Sequence, residues 1–310
     1  MINKIFILGL LLFLTITGVV VYFGDSLNFI FYDDSFYYID LVLKGNPFHP
    51  TADGISVATG YHPLWYWCLW TLSNLLGLGS VPTIVPTLLL SGIFITLSFV
   101  SWSGVFSLLN KDNPNSIFNI SKFSSTGCWA SMFMHLFPTT LVALFQGLET
   151  PLLVFSLGVF IFAYIKHGIS SPKMFGPIAL LFLSRTDMMI PIMCLYGFEL
   201  FYTRKLNIKS WGYCVVLVLC YLGFNYLTTG YAMQSSAGAL PLVRWTDITS
   251  NPNPIYMYFS KFYSSISYLL LLASSYYSFF PVVTIFIFLY FYKFKIKKVT
   301  NIIIAFTILL

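Results

Sequence analysis

The sequence predicts an all-α, polytopic membrane protein, and three observations support this fold class. Hydrophobic residues make up 58% of the chain and charged residues only 8%, whereas an average soluble domain carries roughly 25% charged residues. Apolar runs of about 20 residues recur along the chain, enough to cross a hydrocarbon core of roughly 30 Å. Short basic clusters separate these runs, as orienting charges do in membrane proteins. The net charge of +6 is therefore no sign of nucleic-acid binding.

The candidate spans follow one another along the whole chain. The first run, 5–23, has no small-residue cleavage site and precedes other apolar runs, so it is predicted to be a retained span rather than a signal peptide. The others are 63–79, 84–109, 123–145, 149–165, 174–184, 188–202, 210–228, 264–292 and 300–310. Positive charge stays in the cytoplasm, and the basic clusters satisfy this rule only if one early segment does not cross. The aromatic segment 63–79 is the best candidate, because Trp and Tyr favour the membrane interface.

This assignment predicts a single transmembrane domain over 1–310, with a cytoplasmic N-terminus and about eight complete spans plus a truncated last one. It also predicts two large extracytoplasmic loops. The first, 24–83, is helical and contains the non-spanning helix 63–79, and the second is 229–263. The final apolar run is too short to span, so we expect the C-terminus to be truncated. The five cysteines lie inside apolar segments without CxxC spacing, which predicts neither a disulfide framework nor a zinc site.

The first outer loop contains two adjacent carboxylates. Asp33 and Asp34 open what looks like a short helix that ends near Gly45. One interpretation is structural, since carboxylates at a helix N-terminus interact favourably with the helix dipole. The other is chemical, because adjacent carboxylates ringed by Tyr and Phe repel each other and are partly desolvated, which tunes them for general-base or metal-ligand work. We predict Asp33 and Asp34 as catalytic candidates and Tyr37 as a substrate contact.

Two further candidates are predicted on the same outer side. His62 precedes a proline at the start of the aromatic segment. It is either part of a turn or a histidine that faces the substrate. Glu149 lies between two apolar runs, where it either caps a helix or has a functional role, since an ionisable residue in such a place is costly.

A polar turn at 184–187 interrupts an apolar stretch and supplies a third group of candidates. Arg185 either pairs locally with Asp187 or faces a phosphate, which a guanidinium binds through two parallel hydrogen bonds. Arg244, in the second outer loop, is a candidate contact for an anionic headgroup. His135 lies within a span without a neighbouring ligand, and we expect it to be a packed polar residue.

Together these motifs resemble a known family. After one apolar span they occur in the order Asp33-Asp34-Ser35-Phe36-Tyr37-Tyr38, Asp53-Gly54, Gly60-Tyr61-His62-Pro63-Leu64-Trp65, Gly147-Leu148-Glu149-Thr150 and Ser184-Arg185-Thr186-Asp187. Over about residues 1–245 the pattern resembles the GT-C superfamily of integral-membrane glycosyltransferases. It is most similar to bacterial members related to arabinofuranosyl-, mannosyl- and aminoarabinose transferases. Thr186 stands where the family often has proline, and family members are usually longer.

The resemblance implies a GT-C-like helical bundle in the bacterial cytoplasmic membrane. It implies a donor sugar carried on polyprenyl phosphate and used from the outer leaflet, with a glycan, lipid or protein of the cell envelope as acceptor. Membrane lipids are expected partners and nucleic acid is not. The resemblance also implies that Asp33 or Asp34 acts as base or metal ligand, and Glu149 matches the family's second acidic position.

The expected reaction is attack of an acceptor hydroxyl on the anomeric carbon, with inversion and loss of polyprenyl phosphate. Arg185 is the first candidate for countercharge to that phosphate, followed by His62 and Arg244. No cofactor is required by the pattern. A divalent cation (Mg²⁺ or Mn²⁺) held by Asp34, Glu149 or Asp187 is an alternative, because hard cations prefer carboxylate oxygen. The alternative functions are a transporter or flippase of lipid-linked sugars and an inactive lipid-binding scaffold.

Overall fold

A computed structural model describes residues 3–24, 31, 33–58, 60–77, 84–110, 117, 119–204 and 207–232. Over these residues the protein is helical and has no strand, although an isolated bridge joins Asn46 and His49. The helices are α1 (Lys4–Tyr22), α2 (Asp33–Lys44), α3 (Pro63–Leu75), α4 (Ile84–Leu109), α5 (Ser125–Leu136), α6 (Pro138–Leu144), α7 (Thr150–His167), α8 (Phe175–Ser184), α9 (Met189–Thr203) and α10 (Ile208–Thr229). The predicted all-α class is confirmed for this part of the chain.

Four helices of the described chain are long and apolar enough to cross a membrane, namely α1, α4, α7 and α10. This finding supports a helical membrane protein. The predicted count of about eight spans stays a prediction. The segments predicted at 264–292 and 300–310, and the second outer loop from residue 233 onward, lie outside the described residues.

The remaining helices are shorter than a hydrocarbon core is thick. Helix α3 has 13 residues, a length of about 20 Å at 1.5 Å per residue, so its predicted non-spanning position is compatible with its length but stays untested. The candidate span 123–145 is divided between two helices. Helix α5 ends at Leu136 and α6 begins at Pro138, because proline has no N–H to continue the helical ladder.

Helix α4 is the centre of the bundle and packs against α1, α5 and α7. Small residues allow these helices to approach closely. A Cβ atom added to Gly92 of α4 would collide with Thr17 of α1, and one added to Gly158 of α7 would collide with Ser101 of α4. Contacts of this kind are typical of helix pairs in membranes, where backbone proximity rather than the hydrophobic effect drives association.

The bundle core contains a histidine with both ring nitrogens paired. His135 of α5 is 0% exposed, its Nε2 lies 2.7 Å from Ser98 Oγ, and its Nδ1 lies 2.8 Å from the carbonyl oxygen of Ser131. A carbonyl only accepts hydrogen bonds, so Nδ1 carries the hydrogen and the Ser98 hydroxyl donates to Nε2. The prediction that His135 is a packed polar residue is confirmed.

Helices α2 and α3 form an aromatic layer that packs against α4 and α7. Tyr38, Tyr61, Trp65 and Tyr66 are buried together with Phe155 of α7. Trp65 and Tyr66 are both 0% exposed. Their rings fill the space between the loop helices and the bundle, and this layer supports the functional site.

Candidate functional site

Four of the predicted site residues meet in one polar cluster, formed by His62, Glu149, Arg185 and Asp187. His62 Nε2 lies 3.3 Å from Glu149 Oε1, and Arg185 Nη1 lies 3.7 Å from the same oxygen. Arg185 also donates two hydrogen bonds to Asp187, from Nε to Oδ1 at 3.2 Å and from Nη2 to Oδ2 at 2.7 Å. Three separate segments of the chain therefore converge.

His62 is fixed by the start of helix α3. It is the residue before the helix and has an extended backbone, with φ −91° and ψ 115°. Pro63 favours this arrangement, because its ring disfavours helical geometry in the preceding residue and suits the first helical position. The backbone N–H of His62 donates to the Tyr38 hydroxyl at 2.9 Å. The histidine is thus held by α3 on one side and α2 on the other.

Glu149 is fixed by a glycine turn that contacts α2. Gly147 has φ +81°, and a Cβ atom there would lie 2.9 Å from the ring of Phe31 and 3.1 Å from Ser35 Cβ. The Ser35 hydroxyl donates to the carbonyl oxygen of Gln146. These contacts require glycine at this position, both for its left-handed backbone and for its missing side chain.

The position of the Glu149 carboxylate argues against a capping role. It directly precedes helix α7, but its side chain makes no capping hydrogen bond. Its carboxylate turns instead toward His62 and Arg185, and the residue is only 8% exposed. A buried carboxylate needs a partner, since an isolated one costs several kcal/mol. Here Arg185 supplies the opposite charge.

Arg185 and Asp187 lie in the connection between α8 and α9. Helix α8 ends at Ser184, and the next helical turn, Thr186–Met188, begins after the extended Arg185. This bend lets the guanidinium reach both Asp187 and Glu149. Of the two interpretations of Arg185, the local ion pair is present. A phosphate role remains a prediction.

The polar cluster has more negative than positive charge. Arg185 contributes one positive charge, and Glu149 and Asp187 contribute two negative ones. Burial lowers the pKa of His62 below its usual value, although the charge of Glu149 acts in the opposite direction, so His62 is neutral at pH 7. The cluster therefore carries a formal charge of −1 and offers more hydrogen-bond acceptors than donors.

Helix α2 lies beside this cluster, with the Tyr38 hydroxyl 2.9 Å from the backbone nitrogen of His62. Burial raises the pKa of the Tyr37 hydroxyl, and the nearby charge of Asp34 raises it further. Asp34 itself is exposed. Asp33 is the first residue of α2, and its side chain lies outside the described residues. Arg244 also lies outside them.

Tyr38, rather than the predicted Tyr37, is the tyrosine of α2 whose hydroxyl contacts His62. Burial raises the pKa of the Tyr38 hydroxyl well above its usual value, and the charge of Glu149 raises it further. The spacing of residues along α2 distinguishes Tyr38 from Tyr37. Ser35, Tyr38 and Leu41 recur every three residues and form the buried face of α2. A hydroxyl on this face necessarily points toward the bundle.

The predicted metal site at Asp34 and Glu149 finds no support in the donor arrangement. In the described segments no three His, Cys, Asp or Glu side chains converge as metal ligands. Glu149 faces a guanidinium at 3.7 Å, which already compensates its charge and would repel a divalent cation. We therefore derive no chemical step through a metal ion.

The chain matches no protein-family model, no curated protein and no solved structure. Its resemblance to the GT-C superfamily rests on the motifs alone.

Proposed function

We propose that this chain is a membrane glycosyltransferase of the bacterial cytoplasmic membrane. It would move a sugar from a polyprenyl-phosphate donor to an acceptor hydroxyl of the cell envelope on the extracytoplasmic face, with inversion. The observation that supports this most is the convergence of His62, Glu149 and Arg185 from three distant segments around one buried carboxylate oxygen. Perturbed ionisable groups in such a setting are typical of catalytic sites.

The charges of the cluster indicate which group of the two substrates it would bind. An acceptor hydroxyl suits a site rich in hydrogen-bond acceptors, because it donates a proton there. The leaving phosphate suits it less, since two carboxylates already face Arg185. In this proposal Arg185 orients Glu149 and Asp187, and the countercharge for phosphate falls to other residues, with Arg244 as the predicted candidate.

The outer surfaces of the helices suit a lipid-linked donor. Helix α10 exposes Val215, Val216, Leu219 and Leu227, with Leu227 at 85%. Apolar side chains of this kind on a candidate span face acyl chains. A polyprenyl chain could occupy such a surface while its phosphate and sugar lie at the level of the polar cluster.

A transfer assay tests the proposal. The full 310-residue chain would be reconstituted in lipid nanodiscs with radiolabelled polyprenyl-phosphate arabinose or polyprenyl-phosphate mannose, and with bacterial membranes as the source of acceptors. We expect label to pass to an acceptor. In sealed vesicles, label that changes leaflet without transfer would indicate a flippase instead, and binding alone would indicate a scaffold.

The predicted catalytic pair is tested in the same assay. Asp33→Asn and Asp34→Asn remove each carboxylate with little change in shape. We expect transfer to fall if this pair takes the acceptor proton or positions the acceptor. Full activity of both variants at normal expression would exclude the pair from catalysis and leave the glycosyltransferase proposal standing.

A further inference from the structure

His62 has one ring nitrogen in contact with a carboxylate and the other without a partner. Nε2 lies 3.3 Å from Glu149 Oε1. Nδ1 is buried and has no hydrogen-bond partner in the part of the chain that the structure describes. Buried polar atoms in folded proteins are nearly always paired, and each exception calls for an explanation.

The contact with Glu149 determines which nitrogen carries the hydrogen. An ionised carboxylate only accepts hydrogen bonds, and a neutral imidazole has one N–H and one lone pair. The hydrogen of His62 must therefore be on Nε2, where Glu149 can accept it. Nδ1 is left with a free lone pair. Arg185 strengthens this arrangement, because its Nη1 lies 3.7 Å from the same oxygen and brings a positive charge to the carboxylate.

We propose that His62 Nδ1 is the atom that accepts the proton of the acceptor hydroxyl, with Glu149 as the positioning residue that fixes the tautomer. This assignment rests on the proposed function and names a base different from the Asp33 and Asp34 pair. It requires the substrate to reach a nitrogen that is closed to solvent in the ligand-free protein. Catalytic contacts are often incomplete in that state and form only around the substrate.

In the proposed step, proton transfer to Nδ1 accompanies formation of the new glycosidic bond. The acceptor O–H bond breaks and its proton moves to Nδ1, while the oxygen forms a bond to the anomeric carbon. The bond between that carbon and the phosphate oxygen breaks, and its electron pair leaves with polyprenyl phosphate. The imidazolium that forms is stabilised by Glu149 and then returns its proton to the departing phosphate or to water.

The other ionisable groups around His62 suit this role less well. Both carboxylate oxygens of Asp187 already accept hydrogen bonds from Arg185. Glu149 faces the same guanidinium. The Tyr38 hydroxyl already accepts the His62 backbone N–H at 2.9 Å. An imidazole has an ordinary pKa of about 6.5, which is close to neutral pH.

Two amide substitutions separate the roles of the two nitrogens. In His62→Gln the amide reaches roughly the position of Nε2 and can keep the contact with Glu149. In His62→Asn the amide lies near the position of Nδ1 and loses that contact. Neither amide can accept a proton, so we expect both variants to lower kcat by about 10²-fold or more with little change in KM. His49→Gln, at an exposed histidine, is the matched control and should retain wild-type rates.

A different result is expected if His62 has only a positioning role. If His62 only holds Glu149 in place, His62→Gln will restore transfer to within a few-fold of wild type, and the assignment of the base is wrong. If the wild-type chain transfers no sugar at all, the proposed function itself fails, and these variants are then judged by the tautomer measurement alone.

The tautomer measurement does not depend on activity. The chain contains four histidines, so ¹⁵N-histidine labelling gives four imidazole spectra, and His62→Gln identifies the one that belongs to His62. We expect a neutral ring at pH 7 with the hydrogen on Nε2. In Glu149→Gln this preference should be lost, because a glutamine amide can also donate. A ring with the hydrogen on Nδ1, or a doubly protonated ring, would overturn the proposal.

Discussion

His62 and His135 are both buried histidines, yet their surroundings differ in kind. His135 lies inside the bundle, where Ser98 and Ser131 pair both of its ring nitrogens. His62 lies between loop segments, with one nitrogen facing Glu149 and the other unpaired among the described residues. Burial alone does not distinguish the two. What distinguishes them is whether every polar atom is paired, because a paired histidine has no capacity left for a substrate.

The neighbours of the two histidines lead to the same conclusion. Those of His135 are uncharged and belong to helices held together by small-residue contacts, and the ring of Phe13 packs on it at a centroid distance of 5.7 Å. Those of His62 are charged and come from turns. A neutral, rigid surrounding stabilises a fold, whereas a charged one can change its protonation during a reaction.

The largest expected effect concerns the carboxylate beside His62. Glu149→Gln removes the charge that stabilises a His62 imidazolium and allows the other tautomer. We expect sugar transfer to fall by about 10²-fold or more, measured as initial rates in nanodiscs at equal amounts of folded protein.

The matched control is the same substitution at Glu199. Its carboxylate accepts a hydrogen bond from the Ser170 hydroxyl at 2.6 Å, in a different part of the molecule. Glu199→Gln should leave the rate unchanged within about twofold, since it removes no group of the polar cluster. Equal losses in the two variants would show that the effect of Glu149 is not specific to the site.

An intermediate effect, on stability rather than rate, is expected at His135. Ser98→Ala removes the donor to Nε2 and leaves a buried acceptor unpaired, which costs about 1–3 kcal/mol. We expect a lower midpoint of thermal unfolding in detergent, with transfer per folded molecule unchanged.

Ser91→Ala is the control for that experiment. Ser91 is on the same helix and is 0% exposed, but its hydroxyl has no partner among the described residues. Its removal leaves nothing unpaired and should change the midpoint little. A transfer defect in Ser98→Ala without loss of stability would contradict the structural role assigned to His135.

The smallest expected effect is that of pH on the stability of the folded protein. Burial lowers the pKa of folded His62, with Glu149, Arg185 and Asp187 as its charged neighbours. The unfolded chain therefore binds this proton more readily. The associated stability is present above the unfolded pKa of about 6.5 and is lost as pH falls through the folded value.

This contribution can be isolated by comparing unfolding midpoints at pH 7.5 and pH 5.0. The wild-type midpoint should fall by roughly 1–3 °C more than that of His62→Gln. His49→Gln should respond like the wild type. An identical response in all three proteins would mean that folding does not shift the pKa of His62, in conflict with the effect of its burial.

Much of the fold and part of the site follow from the sequence alone. Hydropathy predicts the long helices, and charge parity predicts that His62, Glu149 and Arg185 lie on one side, where the structure brings them together. The break at Pro138 has a signal in the sequence, because proline interrupts a helix. Residue type alone does not separate Tyr37 from Tyr38, because adjacent tyrosines differ only in the face of the helix that they occupy.

Other features could not be predicted from residue types. The sequence offers Arg185 equally as a partner of Asp187 and as a ligand of phosphate, and only the bend between α8 and α9 decides which contact forms. The two nitrogens of His62 are likewise indistinguishable until the position of Glu149 is known. Such choices depend on distances of a few ångströms between segments that are far apart in sequence.

The separation of Glu149 and Arg185 along the chain has a consequence for biosynthesis. Arg185 follows Glu149 by 36 residues, which a ribosome adds in about 2–7 s at roughly 5–20 residues per second. During this interval Glu149 lacks the guanidinium that lies 3.7 Å from its carboxylate in the folded protein. Helices α7 and α8 can adopt their final packing only after the turn at 184–187 has emerged. A nascent chain stalled within this window would carry an uncompensated acid, a defect that cellular quality control can recognise.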